Sequence, residues 1–359
     1  MSARAPLTDE RLDSRAIDAR RVTAWLTERL ADLEPPLRFS RVGEGQSNLT
    51  FRVDDAAGRS VVLRRPPLGE ILASAHDMAR EHKILSALAP AGARVPRPLA
   101  MCEDLEVTGA PFYVMEHVDG LIPTRVETAE RLSPEARGRA AGALVTTLVE
   151  LQRLDPEAIG LGSFKRPESL ISRQLRRWTR QWHASKTREL PEIDTLAELL
   201  VGRMPEERET VLHHGDYRLD NAVLSPEGEI RAVLDWELCT VGDPLADVGM
   251  MIAYWDELGS AARLPDALFR EPVTELPGFP SGAELAKEYG RISGRDLADL
   301  GFWIAFAYWK IAIIVEGVYR RWLNDPSNGT DAGTLQPAVA RLAGLARDAF
   351  HHDWEAAAK

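Results

Sequence analysis

Hydrophobic and polar positions divide this chain into a β-rich first part and a longer, mostly helical second part. Residues 38–64 contain β-forming runs separated by an Asp-Asp-Ala-Ala-Gly turn, and residues 111–118 have the composition of a further strand. Residues 75–89 carry a partial apolar stripe at helical spacing. Pro96 and Pro98 are expected to break the chain between that helix and the later strand.

After residue 120 the pattern is mostly helical. Ser133 followed by Pro134 is typical of a helix start, with serine as the N-cap and proline in the first turn, and it predicts a helix over 133–153. Residues 222–235 are the only β-like interruption in this part of the pattern. Further helical patterns recur near 167–185, 192–202, 283–290, 295–322 and 335–350.

These elements predict an α+β fold with a small β-rich N-terminal lobe and a larger helical C-terminal lobe. The first lobe is expected over residues 1–117, including a helical leader over 1–35, and the second over 118–359. A chain of 359 residues with 45% hydrophobic content can bury a substantial core in such an arrangement.

Charge and composition narrow the class of partner. The net charge of −11 disfavours nonspecific nucleic-acid binding, so no nucleic-acid partner is expected. Two cysteines cannot form a disulfide framework, and they suit a reducing compartment. The first residues are polar and lack the apolar core of a signal peptide. Together these features predict a cytoplasmic protein.

One apolar segment, residues 300–318, invites a membrane interpretation. Lys310 interrupts it near its middle and Glu316 follows. A charge at the centre of a membrane span is costly, so we interpret the segment as a buried helix and expect no membrane partner.

The strongest chemical signal lies in residues 211–235. A His-Gly-Asp triplet ends at Asp216, Asn221 follows five residues later, and Asp235 ends an apolar run. Protein kinases place a catalytic Asp, an Asn and a magnesium-binding Asp in this order at similar spacing. One carboxylate aligns the attacking hydroxyl, while an amide oxygen and a second carboxylate hold Mg²⁺. We therefore expect Asp216 to be catalytic and Asn221 and Asp235 to be metal ligands.

Three further residues around this motif are predicted to be structural. His214 is expected to hydrogen-bond within the catalytic loop rather than take part in chemistry. Asp243 stands before a proline and is predicted to cap the following helix. Asp247 is expected to brace the catalytic loop rather than bind metal.

Two features of the first lobe are candidates for nucleotide binding. Arg64 ends a strand-like run where kinases have a phosphate-contacting lysine, and Glu81 is its predicted ion-pair partner, with Arg65 as a competitor for the role. A glycine-rich stretch between two strands can cradle phosphate with its backbone N–H groups, although an ordinary hairpin turn is the alternative. Its candidate residues are Gly43, Gly45, Gln46, Ser47 and Asn48.

Candidate substrate contacts are basic. Residues 171–182 form a two-faced helical pattern, apolar on one face and crowded with arginine on the other. That basic face is either solvated or a site for an anionic group such as a phosphate of coenzyme A. Arg218, in the catalytic loop, either contacts substrate or forms a structural ion pair. The arginines chosen from the helix are Arg173, Arg176 and Arg177.

Together these residues resemble the aminoglycoside phosphotransferase and choline kinase-like family over about residues 38–325. The pattern HGD…N…LDWE is the most specific element. Arg-Arg-Pro-Pro at 64–67, the segment 75–81, the basic helix and Glu-Gly-Val-Tyr-Arg-Arg at 316–321 resemble one branch. Its members are phosphotransferase domains fused to, or encoded beside, acyl-CoA dehydrogenases.

The resemblance implies a protein-kinase-like two-lobed fold and an ATP- and Mg²⁺-dependent phosphotransferase, with GTP open as the alternative donor. It implies that adenine binds backbone groups around Glu116 and Val118. The implied acceptor is a hydroxyl of a small molecule, for this branch a hydroxyacyl-CoA, and an acyl-CoA dehydrogenase encoded nearby is the implied partner. Two departures are the arginine at 64 in place of lysine and Tyr-Arg-Leu-Asp at 217–220 in place of a His-Pro-Gly sequence.

Two alternatives remain. An aminoglycoside phosphotransferase is favoured by the net charge of −11 and opposed by the arginine-rich helix face. A nucleotide-binding pseudokinase scaffold is favoured by Arg64 and opposed by the intact set of Asp216, Asn221 and Asp235.

Overall fold

The computed structural model describes residues 17–42, 48–67, 77–255, 273–325, 335–352 and 354. The chain divides into two compact units, Met1–Asp119 and Gly120–Lys359. The first has a small antiparallel sheet and the second is mainly helical, as the fold prediction requires.

The first unit is built on a five-stranded antiparallel sheet with the strand order β1-β2-β3-β5-β4. Its elements in chain order are α1 (Ala19–Arg29), β1 (Arg38–Val42), β2 (Leu49–Asp54), β3 (Ser60–Arg65), α2 (Met78–Leu88), β4 (Pro98–Cys102), α3 (Leu105–Thr108) and β5 (Phe112–Glu116).

Alternation of apolar and polar residues gives this sheet its buried face. Phe51 and Val53 of β2 lie opposite Leu63 and Val61 of β3, and all four are buried. Trp25 of α1 belongs to the same core and packs edge-on against a ring of β5. Because side chains alternate along a strand, Arg64 points away from this core.

The described elements confirm most of the predicted ones. A helix, α1, forms the described part of the expected leader, and β5 corresponds to the strand predicted over 111–118. The helix predicted over 75–89 begins at Met78, because Asp77 caps it by accepting a hydrogen bond from Arg80 N.

The prediction that Pro98 breaks the chain is wrong, since Pro98 begins β4. β4 is an edge strand of the sheet, and its pairing with β5 is irregular between Pro98 and Ala100. A residue without an N–H is tolerated at the start of an edge strand, because no ladder hydrogen bond is lost on the solvent side.

The second unit is mostly helical. Its helices and strands are α4 (Val126–Ala129), α5 (Pro134–Gln152), α6 (Leu170–Ser185), α7 (Pro191–Gly202), β6 (Val211–His213), β7 (Ala222–Leu224), β8 (Ile230–Val233), β9 (Thr240–Gly242), α8 (Leu245–Ala253), α9 (Gly282–Ser293), α10 (Leu300–Asn324) and α11 (Gln336–His351). Short 3₁₀ turns occupy Gly162–Phe164, Leu219–Asn221, Trp236–Leu238 and Val273–Glu275.

All six predicted helices of this unit are present. Ser133 caps α5 by accepting a hydrogen bond from Ala136 N, with Pro134 in the first turn. The expectation of a single β-like interruption is wrong, because β6 and β9 form a second antiparallel pair beside β7 and β8. Strands of three residues are too short for alternation to show in the sequence.

Helix α10 is the apolar segment that invited a membrane interpretation. By length and composition it could cross a membrane, but 83% of its most apolar window is buried within the molecule. It packs against α6, α8 and α11. Gly249 of α8 permits the close approach, because a Cβ there would lie 2.6 Å from the carbonyl carbon of Trp303.

Candidate active site

Asp247 organises the turn that carries the His-Gly-Asp triplet. Its fully buried carboxylate accepts hydrogen bonds from His214 N at 2.7 Å and Gly215 N at 2.9 Å. His213 Nδ1 lies 3.0 Å from Oδ1 of the same carboxylate. Burial alone raises the pKa of Asp247, but the charge and hydrogen bond of His213, with the other contacts, hold that pKa below its usual value. Asp247 therefore has the contacts expected of a brace.

His214 links the start of the catalytic loop, residues 214–221, to Leu234, which directly follows β8. Its Nδ1 accepts a hydrogen bond from Asp216 N at 3.2 Å, so Nε2 carries the proton and donates to Leu234 O at 2.9 Å. The ring packs edge-on against Trp236, 4.6 Å between centroids. These contacts agree with the predicted structural role and use both ring nitrogens.

Gly215 is required by the tight turn. Its φ is +93°, in the left-handed region that favours glycine, and a Cβ there would lie 2.7 Å from Leu238 Cβ. A larger residue would shift the adjacent Asp216.

Asp216 is held as an oriented carboxylate. Oδ2 accepts hydrogen bonds from Arg218 Nε and from Asn221 Nδ2, both at 3.1 Å, and Asn221 Nδ2 also donates to the Asp216 carbonyl at 2.9 Å. Burial raises the pKa of Asp216, but the charges of Arg218 and Lys310 and the hydrogen bond of Asn221 hold it below its usual value. Asp216 is therefore ionised at neutral pH.

The β7–β8 hairpin brings the two predicted metal ligands together. Ala222 pairs with Val233, and Leu234 N donates to Asn221 O at 2.7 Å. Asp235 follows directly. Its φ of 66° is positive, alone among the described non-glycine residues. Such a backbone costs about 1–3 kcal/mol and is concentrated at functional sites.

Arg218 forms the ion pair that the sequence left as one of two alternatives. Besides Asp216, it contacts Asp220 Oδ2 through Nη1 at 3.1 Å. Its guanidinium lies over the Tyr254 ring, 4.7 Å from the centroid. Burial alone lowers the pKa of Arg218, but Asp220 and Asp216 outweigh it and raise that pKa above its usual value.

Lys310 is a site residue that the sequence interpretation missed. It lies on α10 with 9% of its surface exposed, and Nζ donates to Gly215 O at 3.4 Å. A lysine in the middle of an otherwise apolar helix is costly to bury, and that was the available signal. The sequence analysis used it only against a membrane span.

In the first unit, the structure pairs Arg64 with Glu81. Arg64 Nε lies 3.1 Å from Glu81 Oε2, and the two side chains are 12% and 2% exposed. Arg65, on the opposite face of β3, donates to Thr108 O at 3.0 Å instead. Arg64 therefore has the predicted partner, and Arg65 does not compete for it.

The other nucleotide candidates of this unit are only partly described. Asn48 is buried, while Gly43, Gly45, Gln46 and Ser47 lie outside the described residues. Glu116 N donates to Arg97 O at 2.9 Å, so its backbone N–H is already used. Val118 follows β5 and is partly buried, and the described residues supply no hydrogen bond to its backbone.

The arginines of α6 are not equivalent. Both terminal nitrogens of Arg176 contact the Glu168 carboxylate, and Arg173 Nε donates to the Glu168 carbonyl at 3.3 Å. Arg177 lies over the Trp178 ring, 5.6 Å from the centroid, and is exposed. No carboxylate of the described residues forms an ion pair with Arg177. Of the three, Arg177 is the one available to an anion.

Asp243 is a partly buried cap. Its Oδ1 accepts from Leu245 N at 2.8 Å, although Pro244 occupies the N-cap position itself. Burial, helped by the charges of Glu207 and Asp299, raises the pKa of Asp243 to about 6.

Comparison with known proteins identifies the family. Residues 38–285 match the model of the phosphotransferase enzyme family. The chain belongs to that family. The expected enzyme class, a phosphotransferase with an alcohol group as acceptor, is thereby confirmed.

Similar proteins also identify the branch of the family to which this chain is related. The chain is 37% identical to mouse acyl-CoA dehydrogenase family member 10 over 86% of its length and 35% identical to human family member 11 over 93%. It spans 29% of the mouse protein and 43% of the human one. The predicted resemblance to this branch is confirmed.

Solved structures share the fold. A protein described as a candidate aminoglycoside phosphotransferase from Ralstonia eutropha is 29% identical, with a TM-score of 0.76, 93% of this chain and 98% of that one being covered. Amicoumacin kinase, at 16% identity and a TM-score of 0.59, covers 96% and 98% and shares the fold alone. The predicted kinase-like fold is confirmed.

Proposed function

We propose that this chain transfers the γ-phosphoryl group of ATP, in the presence of Mg²⁺, to the hydroxyl of a hydroxyacyl-CoA. The observation that carries the proposal is the catalytic loop itself. An ionised Asp216 is fixed by Asn221, and the β7–β8 hairpin places Asp235 next to Leu234, whose N–H donates to Asn221 O.

Asp216 would orient the acceptor hydroxyl. Phosphoryl transfer in this class of enzyme passes through a loose transition state, and positioning matters more than strong base catalysis. A carboxylate whose pKa is held below its usual value is a weak base, so it suits alignment of the hydroxyl and late acceptance of its proton. Asn221 and Arg218 restrict it to one orientation.

Asn221 and Asp235 would hold Mg²⁺, which supplies charge neutralisation at the nucleotide phosphates. Within the described residues, no three His, Cys, Asp or Glu side chains are grouped as a metal site. Mg²⁺ sites in kinases commonly use one or two carboxylates completed by phosphate oxygens and water, so a carboxylate and an amide suffice. The amide nitrogen of Asn221 faces Asp216, which leaves its oxygen for the cation.

Arg64 would contact the nucleotide phosphates, oriented by Glu81. Its guanidinium can bind phosphate with two parallel hydrogen bonds. Amicoumacin kinase was solved with AMP-PNP and aminoglycoside 2′-phosphotransferase-IIIa with GDP, which supports a nucleotide donor in this fold. Val118 has the backbone groups that an adenine ring would need. We propose ATP, and GTP is the alternative donor.

The proposed acceptor is based on the names of the relatives. Their names place similar domains in acyl-CoA dehydrogenase family proteins, and this chain spans less than half of each. A hydroxyacyl-CoA acceptor, and an acyl-CoA dehydrogenase as partner, are therefore proposed together. Arg177, exposed beside Trp178, is a candidate contact for a coenzyme A phosphate.

The test is Mg²⁺-dependent ADP release by the full chain with hydroxyacyl-CoAs, aminoglycosides or no acceptor. Release that requires a hydroxyacyl-CoA supports the proposal. Release with an aminoglycoside instead would overturn the acceptor assignment, whereas nucleotide binding without turnover on any acceptor would indicate a nucleotide-binding scaffold.

A further inference from the structure

Lys310 has hydrogen-bond donors that the described residues do not use. An ammonium group carries three N–H donors, and Nζ has one acceptor among the described residues, Gly215 O at 3.4 Å. No described carboxylate forms an ion pair with it. The side chain is 9% exposed, so bulk water does not solvate it freely. A buried cation in this state is stabilised when an oxygen from outside the chain binds it.

The neighbouring carboxylates are already engaged. Asp216 accepts hydrogen bonds from Arg218 and Asn221, and Asp247 accepts them from two backbone N–H groups. They act on Lys310 only through space. Burial lowers the pKa of Lys310 most, the charges of Asp216 and Asp247 oppose it, and those of Arg177 and Arg218 add to it.

Trp178 forms an apolar wall beside the ammonium group. Lys310 Nζ lies 5.7 Å from the centroid of the Trp178 ring, and Arg177 Cζ lies 5.6 Å from the same centroid. The ring is partly exposed. An acceptor here would therefore meet a donor group next to an aromatic surface that suits a carbon chain.

The position of Lys310 relates it to the reacting hydroxyl. Gly215, whose carbonyl binds Nζ, directly precedes Asp216, and the charges of Lys310 and Asp216 are close enough to shift each other's pKa. An atom bound to Nζ and a hydroxyl bound to Asp216 can thus belong to one small molecule, separated by a few bonds.

We propose that Lys310 binds a carbonyl or carboxylate oxygen that the acceptor carries a few bonds from its reacting hydroxyl. The inference rests on the proposed phosphoryl transfer and deepens it. It restricts acceptors to hydroxyacyl compounds, as thioesters or as free acids. It also disfavours an acceptor with an amino group at that position, because two ammonium groups would face each other.

The experiment compares matched acceptors by calorimetry in the presence of Mg²⁺ and a non-hydrolysable ATP analogue. Hydroxyacyl-CoAs, the corresponding free hydroxy acids and diols of the same length are titrated into the full chain. In the diols a hydroxyl, which is a weaker and uncharged acceptor, replaces the acyl oxygen. A hydrogen bond to a charged group contributes about 1.5–3 kcal/mol, so wild type is expected to bind the acyl compounds about 10- to 100-fold tighter than the diols.

Lys310→Met is expected to remove this preference for the free hydroxy acids and to leave diol binding within about threefold. For the thioesters it should weaken the preference, because the coenzyme A part keeps its own contacts. Glu316→Gln is the matched control, because Glu316 is a buried charge on the same helix that binds Arg188 and Thr187 instead. It should keep the preference even if the helix is destabilised. If Lys310→Met does not fold, Lys310→Gln takes its place and should reduce the preference, because its amide can still donate a hydrogen bond but carries no charge.

A wild type that binds diols and acyl compounds equally, or a preference for the free hydroxy acids that survives in the Lys310 variant, would overturn the proposal. Thioester and free acid are compared to show which source of the oxygen is preferred. Phosphate transfer, followed as ADP release with ATP, reports separately on the proposed function. Lys310-dependent binding without transfer would retain this site and reject the kinase proposal. Equal transfer of phosphate to acyl compounds and diols would retain the kinase proposal and reject this site.

Discussion

At the scale of single residues, Asp216 has the contacts of an aligned carboxylate. Arg218, Asn221 and Lys310 each supply one contact or one charge to the loop. The spacing of Asp216, Asn221 and Asp235 was visible in the sequence, because all three lie within one short stretch. The role of Lys310 could not be predicted from the sequence, because it lies on α10, 94 residues after Asp216. Only the fold brings it to Gly215.

Asp216→Asn should lower kcat by about 10²–10⁴-fold, the usual contribution of a positioned acid–base group, while nucleotide binding persists. The amide keeps the shape of the side chain but loses the charge that orients a hydroxyl. Steady-state ADP release and calorimetry with ATP measure the two effects. Asp220→Asn, in the same loop and also bound to Arg218, is the control and should lose much less. Equal losses in both variants would contradict a special role for Asp216.

Asp243 is expected to make stability depend on pH. Its pKa in the folded state, about 6, lies above its ordinary value of 3.8, so the folded state binds the proton more tightly. The stabilisation is complete below the unfolded-state pKa and is lost as pH rises through the folded-state value. Asp243→Asn stays neutral and keeps an oxygen for Leu245 N. The variant should therefore gain about 1 kcal/mol relative to wild type between about pH 5 and pH 8. Urea unfolding at both pH values measures it, and a constant difference would contradict it.

At the scale of elements, the long helices follow from the sequence and the short strands do not. Ser133 and Pro134 mark the start of α5 to within one residue. β6 and β9 were not predicted, because each has three residues and is specified by its partner. Pro98 was misjudged for a related reason: whether proline is tolerated depends on β4 being at an edge, which local sequence does not reveal.

Helix α6 allows a test of the coenzyme A contact. Arg177→Glu should raise KM for a hydroxyacyl-CoA by about 10-fold and leave the value for the free hydroxy acid nearly unchanged, because only the former carries the distant phosphates. Arg176→Glu is the matched control one residue away, since Arg176 is already bound to Glu168. Steady-state kinetics with both acceptors decide it. An equal effect of the two variants would leave α6 as a solvated face.

The contact between α8 and α10 depends on a residue without a side chain. Gly249→Ala would place Cβ 2.6 Å from backbone of Trp303, which cannot move without shifting α10. We expect a loss of about 1–3 kcal/mol in the free energy of unfolding, as for other overpacked cores. Gly142→Ala in α5 is the control, since a Cβ there meets nothing within 4 Å and alanine favours helix. Chemical denaturation measures both, and a neutral Gly249 variant would contradict the packing argument.

At the scale of the whole molecule, the division into a β-rich unit and a helical unit followed from periodicity alone. The structure divides the chain between Asp119 and Gly120, two residues from the expected boundary. The sequence motif was enough to predict the family but not the acceptor, because one fold serves many acceptors and does not specify which.

Ligand binding should stabilise the whole chain in a Mg²⁺-dependent way. A ligand at a concentration 100 times its Kd adds about 2.7 kcal/mol to the free energy of unfolding. Tm should therefore rise with ATP and Mg²⁺ together and not with Mg²⁺ alone. Asp235→Ala should lose the Mg²⁺-dependent part, as measured by scanning calorimetry. A full Mg²⁺-dependent rise in that variant would remove Asp235 from the metal site.

At Asp235, the left-handed backbone favours glycine, whereas the proposed metal site requires a carboxylate. Glycine would relax the chain there but would remove the carboxylate, and no residue combines the backbone freedom of glycine with a charged oxygen ligand. Selection for thermal resistance alone should therefore drive this codon towards glycine, whereas selection for turnover should restore aspartate. Stability of the fold and catalytic activity thus place opposite requirements on this one residue.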